Sequence, residues 1–269
     1  MWRVALSAVL AEMACATPAS LLEAPVEAQV QAGIAGAHVA LSELVWRPGL
    51  SEYELRVTGQ GLRSLAVWVP DAAAPDAVLV FLHGRVKPHS GRHPADEHQR
   101  TRGAIACLLT PAFGSLHPLI VAPLSPTGQW WSRSDTEFVL GLVLAARERW
   151  PAAGARSVIL GYSNGGIGSW YFARLYPEYF AAAIPMAFND AIVGATPLPV
   201  YAIQGTKDEQ FEFEPVRAAV TAQIRQGHDV TFNAKYRGSH YAPCSYEPEL
   251  ASAAAWLEAH VFQGGGGGG

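Results

Sequence analysis

The central stretch of the sequence is Val158-Ile159-Leu160-Gly161-Tyr162-Ser163-Asn164-Gly165-Gly166. Its first three residues are apolar and predict the end of a buried strand, while Ile167 to Tyr176 has the apolar spacing of a helix. A serine between two glycines in a tight strand-to-helix turn carries its hydroxyl above the carboxyl edge of a sheet. The glycines leave room for the turn, because side chains at both positions would collide with it. We therefore predict that Ser163 is a nucleophile; the alternative is a glycine-rich turn with a chance serine.

The composition is that of a folded protein with a large core. Half of the 269 residues are hydrophobic and 16% are charged, which excludes a disordered chain. The formal net charge is -4 and no basic stripe is present, so we expect no nucleic acid partner. No apolar run reaches the roughly 18 residues of a membrane-spanning helix, so we expect no transmembrane segment. The composition leaves the oligomeric state open.

The two ends of the sequence have compositions that set them apart from the predicted folded domain. Met1 to Ser20 combines an early positive residue, a short apolar run and an Ala-x-Ala pattern, which predicts a leader for export. Cys15 within it allows a lipid-anchored form, and an ordinary N-terminal helix is the alternative. The six glycines of Gly264 to Gly269 predict a flexible tail. Residues 21–263 are the predicted folded domain of a secreted, periplasmic or lipid-anchored protein.

Strands and helices alternate along most of this domain. Residues 21–36 predict a loose lead-in with a helical turn, and three alternating segments predict antiparallel edge strands: 41–46, 52–57 and 62–69. Further strands are predicted at 77–82, 118–123, 157–162, 181–188, 198–204 and 230–236, and helices at 97–109, 135–150, 167–176, 214–226 and 247–260. Ser134 or Asp135 is the predicted cap of the second of these helices. The alternation predicts a single-domain α/β fold whose mostly parallel sheet is flanked by helices.

Two loops after late strands carry possible partners for the serine. A serine nucleophile needs a base within hydrogen-bond reach, and the base needs an acid that orients it. His240 and Asp208 both follow predicted strands, at the edge where ligands bind in parallel sheets. We therefore predict a triad of Ser163, His240 and Asp208, with Asp190 as the rival acid. The alternative for both residues is a solvated loop position.

Four motifs in this order resemble the α/β-hydrolase fold family. They are Phe81-Leu82-His83-Gly84, Gly161-Tyr162-Ser163-Asn164-Gly165-Gly166, Gly205-Thr206-Lys207-Asp208 and Gly238-Ser239-His240, and the resemblance covers about residues 60 to 262. Within the family, the chain is similar to lidless esterases of the phospholipase/carboxylesterase, dienelactone-hydrolase and feruloyl-esterase types. The resemblance implies an oxyanion hole formed by the backbone amides of Arg85 and Asn164, and a structural role for His83. It also implies catalysis without a metal or organic cofactor.

Cys107 and Cys244 are an even pair within the predicted domain. In an exported protein such a pair can form a disulfide, and two buried free thiols are the alternative. A bridge would pin the loop of the predicted base, because Cys244 follows His240 closely in the chain.

Substrate contacts are predicted at Trp130 and Trp131, which follow a strand end near the rim of the site. We expect one of them to form a wall for an acyl or aryl group and the other to pack in the core. A metal site at His89, His93 and His98 is the less favoured interpretation, since their irregular spacing is typical of a solvated loop.

The sequence thus predicts a serine hydrolase that cleaves carboxylic esters of short acyl or aryl groups, small or polymeric, through an acyl-enzyme. Asn189 to Pro199 is too short to hold a helical lid, which predicts an open site. Two alternatives stay open. One is a peptidase or amidase with the same triad, and the other is a catalytically silent binding protein on the same fold.

Overall fold

A computed structural model describes residues 24–71, 74–85, 94–126 and 128–263. The predicted leader, the glycine tail, His89 and His93 lie outside these residues. None of the helices within the described ranges combines the length and the apolar composition that crossing a bilayer requires.

One eight-stranded sheet runs through the described part of the chain. Its strands are β1 (Gly49–Val57), β2 (Gly61–Val69), β3 (Val78–Leu82), β4 (Leu119–Leu124), β5 (Ser157–Tyr162), β6 (Ala182–Met186), β7 (Val200–Gly205) and β8 (Val230–Lys235). They lie side by side in the order β1-β2-β4-β3-β5-β6-β7-β8. The pairs β1–β2 and β2–β4 are antiparallel and the other pairs are parallel. The prediction of a mostly parallel sheet with antiparallel N-terminal edge strands is confirmed.

Helices cover both faces of this sheet. They are α1 (Ala24–Ser42), α2 (Pro94–Ala104), α3 (Thr110–Phe113), α4 (Arg133–Arg149), α5 (Pro151–Ala155), α6 (Asn164–Leu175), α7 (Phe213–Arg225) and α8 (Glu247–Trp256). Apolar side chains of α1, α4, α6 and α7 share one core, while those of residues 105–116 and α8 share the other. Each of β3 to β7 is buried at every position, which explains why the sequence shows these strands as continuous apolar runs.

The first predicted edge strand, residues 41–46, is wrong, and the lead-in before it is a helix. α1 runs to Ser42, and the residues after it connect α1 to β1. The core residues of this segment recur every three or four positions, as one face of a helix requires: Val30, Ile34, Ala37 and Leu41. That face packs on α4 at Gly141, where a Cβ would lie 2.6 Å from the Cβ of Ala37. The helical spacing therefore outweighs the short alternation at its end.

α4 begins at Arg133, shortly before the start that the sequence predicts at residue 135. Ser132, rather than Ser134 or Asp135, is the cap, and its Oγ accepts a hydrogen bond from the backbone N–H of Asp135 at 3.3 Å. The Asp135 side chain points inward instead, where its carboxylate pairs with the buried Arg63 guanidinium at 2.5 Å. A charged partner in β2 therefore decides the orientation of Asp135.

Candidate active site

The serine lies in a strained turn between β5 and α6. Ser163 has φ 59° and ψ -121°, a conformation that a residue with a side chain seldom adopts. Its backbone N–H donates to the carbonyl of Met186 at 3.0 Å, which ties the turn to the end of β6. A Cβ on Gly161 or Gly165 would overlap backbone atoms, including the carbonyl oxygen of Leu82. The two glycines thus let the turn pack against β3.

Ser163, His240 and Asp208 form one hydrogen-bonded line. The Oγ of Ser163 is 2.9 Å from Nε2 of His240, and Nδ1 of His240 is 2.9 Å and 3.0 Å from the two Asp208 oxygens. The carboxylate also accepts backbone N–H bonds from Gln210 and Phe211, at 2.9 Å and 2.8 Å. Because a carboxylate can only accept, Nδ1 carries the proton, and Nε2 is left to accept from the serine hydroxyl.

Burial differs along this line. The Asp208 side chain is fully buried, whereas the His240 side chain keeps 9% exposure. The rival acid, Asp190, is exposed in a short 3-10 segment after β6. The structure therefore brings Asp208, and not Asp190, to the ring of His240.

Gly84 and Arg85 pass beside the serine at the end of β3. A Cβ on Gly84 would lie 3.3 Å from the Cβ of Ser163 and 3.8 Å from its Oγ. Asn164 is the first residue of α6, and the first amides of a helix have no partner within it. The two predicted oxyanion donors, the amides of Arg85 and Asn164, thus belong to segments that flank Ser163. The Arg85 side chain is exposed.

A neighbouring loop lies against this segment at Gly128. Gly128 has φ 67°, and a Cβ there would come within 2.7 Å of the Gly84 carbonyl oxygen. The side-chain amide of Asn164 donates to the Gly128 carbonyl at 3.2 Å, and the Gly128 N–H donates to Oγ of Ser125 at 2.8 Å. These bonds join the serine turn to the loop that supports Gly84 and Arg85.

His83 is a buried member of that support. Its Nε2 accepts the backbone N–H of Ser125 at 2.9 Å, so its Nδ1 carries the proton and donates to the Gly84 carbonyl at 2.7 Å. Burial lowers the pKa of His83 to about 4, which keeps the ring neutral at pH 7. The Oγ of Ser125 in turn donates to Asp135, the partner of Arg63, at 2.7 Å. His83 therefore has a structural position and does not face the serine as a base.

The prediction that Trp130 lines the substrate site is wrong. Its side chain is fully buried, its ring lies edge-on to His83 at 4.9 Å, and its Nε1 donates to the His83 carbonyl at 2.8 Å. Trp131 is partly buried and packs against the edge of the core. Its substrate contact stays a prediction.

Within the described ranges, no group of three or more His, Cys, Asp and Glu side chains could hold a metal ion. His98 belongs to α2, where its Nδ1 is 3.5 Å from a Glu52 oxygen. Cys107 and Cys244 form a disulfide with a Cα–Cα distance of 5.5 Å, so the bridged alternative is the one that the structure holds.

Several residues around the site escape prediction from the sequence. Arg63 and Asp135 are both buried and form an ion pair across 72 positions of the chain, and no local pattern in the sequence indicates their pairing. Tyr162 and Glu209 hold the His240 loop, and their only mark in the sequence is that they adjoin Ser163 and Asp208. These contacts join residues that are far apart in the sequence, so no motif indicates them.

Comparison with solved structures identifies the fold. A thermostable esterase superposes with a TM-score of 0.57 at 22% identity, covering 78% of this chain and 62% of that protein, so the chain spans less than two thirds of its length. A serine hydrolase without a lid from Xanthomonas campestris gives 0.56 at 14% identity, with 82% and 97% covered. A ferulic acid esterase gives 0.55 at 15% identity, with 77% and 99% covered. No family model matches the chain, and no curated protein matches it in sequence.

These similarities, together with the sheet order and the serine turn, define an α/β-hydrolase fold. The resemblance that four sequence motifs suggested is confirmed at this level. At identities of 14% to 22% the similarity concerns the fold, whereas the chemistry depends on the residues of the site itself.

Proposed function

We propose that this protein is a serine hydrolase that cleaves carboxylic esters through an acyl-enzyme. The observation that carries the proposal is the line of hydrogen bonds from Ser163 through His240 to Asp208, with donor–acceptor distances of 2.9 Å to 3.0 Å. Nε2 of His240 takes the serine proton while Oγ attacks the ester carbonyl carbon, and Asp208 stabilises the imidazolium that forms. His240 then protonates the departing alcohol. A water molecule, activated by the same histidine, releases the acid.

The negative oxygen of the tetrahedral intermediate needs donors beside the serine. The amides of Arg85 and Asn164 are the proposed donors, because Gly84 packs on Ser163 and Asn164 begins α6. The Asn164–Gly128 and Ser125–His83 bonds support this assignment, since they fix both backbone segments before a substrate arrives. No step of this mechanism requires a metal or an organic cofactor.

Short acyl and aryl esters are the proposed substrates, either as small molecules or on a polymer. The connection from β6 to β7 is short and contains only a 3-10 segment, Asp190–Ile192, so it offers no helical cap over the serine. The partly buried Trp131 is the proposed apolar contact for the acyl or aryl group.

The test is an ester panel of varied acyl length and aryl character, run with matched amides on the parent protein and on Ser163→Ala. We expect turnover of short esters by the parent, a much lower rate on amides, and no turnover by Ser163→Ala. Faster cleavage of amides would favour a peptidase or amidase. No turnover of any substrate by the folded parent would favour a silent binding protein.

We also propose that the protein works in an oxidising compartment. The disulfide between Cys107 and Cys244 supports this proposal, because such bonds persist mainly in exported proteins. Fractionation of cells that express the full chain tests it. Recovery of the protein in the reducing cytosol with Cys107 and Cys244 as free thiols would contradict it.

A further inference from the structure

The loop that carries the proposed base has little regular structure of its own. Between β8 and the 3-10 segment Pro243–Tyr246, the chain forms a turn and irregular backbone, and most of its residues are partly or fully exposed. Yet Nε2 of His240 has to stay within hydrogen-bond reach of Ser163 for proton transfer. Contacts from outside the loop must therefore fix the position of the histidine.

Glu209 holds the loop on the amino side of His240. Its carboxylate accepts the backbone N–H of His240 at 2.8 Å, and it accepts the Ser239 hydroxyl at 2.8 Å and 3.0 Å. The bonds from the His240 N–H and the Ser239 hydroxyl lower the pKa of Glu209, so the side chain stays ionised where a histidine base works.

Tyr162 holds the same loop on the carboxyl side of His240. Its hydroxyl lies 2.9 Å from the His240 carbonyl oxygen and 3.3 Å from that of Ser239, and it donates to them. Burial raises the pKa of Tyr162, so the phenol keeps its proton and remains a donor. The phenol ring also lies beside the imidazole, with a centroid distance of 5.5 Å.

The two contacts share a feature that connects them to the triad. Tyr162 directly precedes Ser163, and Glu209 directly follows Asp208. Tyr162, the neighbour of the proposed nucleophile, thus donates to the His240 carbonyl. Glu209, the neighbour of the proposed acid, accepts the His240 N–H. Any displacement of the His240 backbone relative to either partner would stretch one of these bonds.

We propose that Glu209 and Tyr162 are positioning residues that clamp the backbone of His240 and keep its imidazole aligned with Ser163 and Asp208. The inference rests on the proposed function, because it concerns the efficiency of the same base. Neither residue touches the reacting atoms. Their effect is to keep the pre-formed geometry that a histidine on an exposed loop would otherwise lose.

The test compares Glu209→Ala, Glu209→Gln and Tyr162→Phe with the parent on the best short ester. We expect Glu209→Ala and Tyr162→Phe to lower kcat about 10- to 100-fold with KM within about twofold, since a 1 Å misplacement can cost about 10²-fold. Glu209→Gln should retain more activity than Glu209→Ala, because its amide oxygen still accepts one bond. The double variant should lose less than the product of the single losses, because both residues hold one loop.

Two matched controls separate positioning from general effects. Glu212→Ala removes an exposed carboxylate three positions after Glu209. Tyr201→Phe removes a hydroxyl that accepts a hydrogen bond from the Asn233 side chain at 3.0 Å and makes no hydrogen bond to His240. We expect both controls to keep kcat within about twofold of the parent. Thermal unfolding of every variant shows that the compared proteins are folded.

Two results would overturn the inference while the proposed function stands. One is an active parent whose Glu209→Ala and Tyr162→Phe variants keep kcat within about twofold, and the other is a rise in KM at unchanged kcat. A folded parent without turnover would reject the proposed function and the inference with it.

Discussion

Ser163 holds a backbone conformation that costs about 1–3 kcal/mol and persists only because its surroundings impose it. The bond from its N–H to Met186, and the close packing of Gly165 on β3, supply that constraint. In exchange the hydroxyl projects to Nε2 of His240 instead of into the sheet. The strained residue thus stands at one end of the hydrogen-bonded line, in the position of the proposed nucleophile.

The first prediction concerns which acid serves the histidine. Asp208→Asn should lower kcat about 10³- to 10⁴-fold, because an amide in place of the carboxylate no longer stabilises the imidazolium or fixes its tautomer. Asp190→Asn should stay within about twofold of the parent, since Asp190 is exposed and Asp208 provides the contact to Nδ1. Steady-state rates on one ester measure both. The reverse order of losses would show that the acid is misassigned.

The second prediction concerns the buried His83. Its pKa is lowered to about 4 by burial, whereas the histidine of the unfolded chain titrates near 6.5. Between these pH values the unfolded chain binds a proton that the folded protein excludes, so the free energy of unfolding falls as the pH drops. The loss from this residue is about 3 kcal/mol.

Urea unfolding at about pH 7 and about pH 4.5 measures this loss. The parent should lose more stability between the two pH values than His83→Gln, which has no group that titrates there. The carboxylates common to both proteins cancel in this comparison. Equal losses would show that His83 titrates in the folded protein as it does in the unfolded chain.

At the scale of the elements, a disulfide helps to fix the position of the proposed site. The disulfide joins Cys107, in the π-helical segment Ile105–Leu109, to Cys244, in the 3-10 segment after the His240 loop. It therefore ties a helix on one face of the sheet to the segment that directly follows the loop of the proposed base, His240. The two cysteines are 137 positions apart, so the bridge closes a long loop.

The third prediction follows from that long loop. Replacing both cysteines, as Cys107→Ala with Cys244→Ala, should lower the free energy of unfolding by about 3–5 kcal/mol, because the unfolded chain gains entropy. Urea unfolding measures the change, and the parent in excess reductant should behave like the variant. Identical unfolding curves for parent and variant would contradict the stabilising role of the bridge.

At the scale of the molecule, the connection from β6 to β7 places no helical lid at the carboxyl edge of the sheet, where the proposed site lies. Ordinary short connections follow β6 and β7, and His240 keeps part of its side chain exposed. For the proposed function, we expect this edge to admit a bulky or polymeric ester from the side and not to enclose a long acyl chain.

The fourth prediction is the substrate profile that such a site produces. Short acyl and aryl esters should be cleaved readily and long-chain triglycerides poorly, with no increase in rate when the substrate forms an oil–water interface. Rates measured below and above the solubility limit of one ester series test this. A preference for long-chain lipid with interfacial activation would contradict the open site.

The sequence predicts much of this fold because the buried strands of the sheet consist of consecutive apolar residues. Residues 77–82 and 157–162 match β3 and β5 closely, since strands buried on both faces tolerate few polar residues. The glycines around Ser163 are equally informative, because the turn has no space for side chains. The predicted triad residues meet in the structure for the related reason that strand ends converge at one edge.

What the sequence did not reveal depends on contacts between distant segments. The alternation at 41–46 has the pattern of a strand, but α1 packing on Gly141 makes its start helical. Trp130 follows a strand end, yet its indole bonds the His83 carbonyl in the core. The clamp by Glu209 on His240 requires two loops to meet, which no local pattern records.

Ser163 is the proposed activated nucleophile, and an activated serine reacts covalently with a fluorophosphonate. The folded protein is treated with a fluorophosphonate, and the adduct is located by mass spectrometry of its peptides. We predict one adduct, on Ser163, that disappears in Ser163→Ala and forms far more slowly in Asp208→Asn. A folded parent that takes up no label, or a label that persists in Ser163→Ala, would show that Ser163 is not an activated nucleophile.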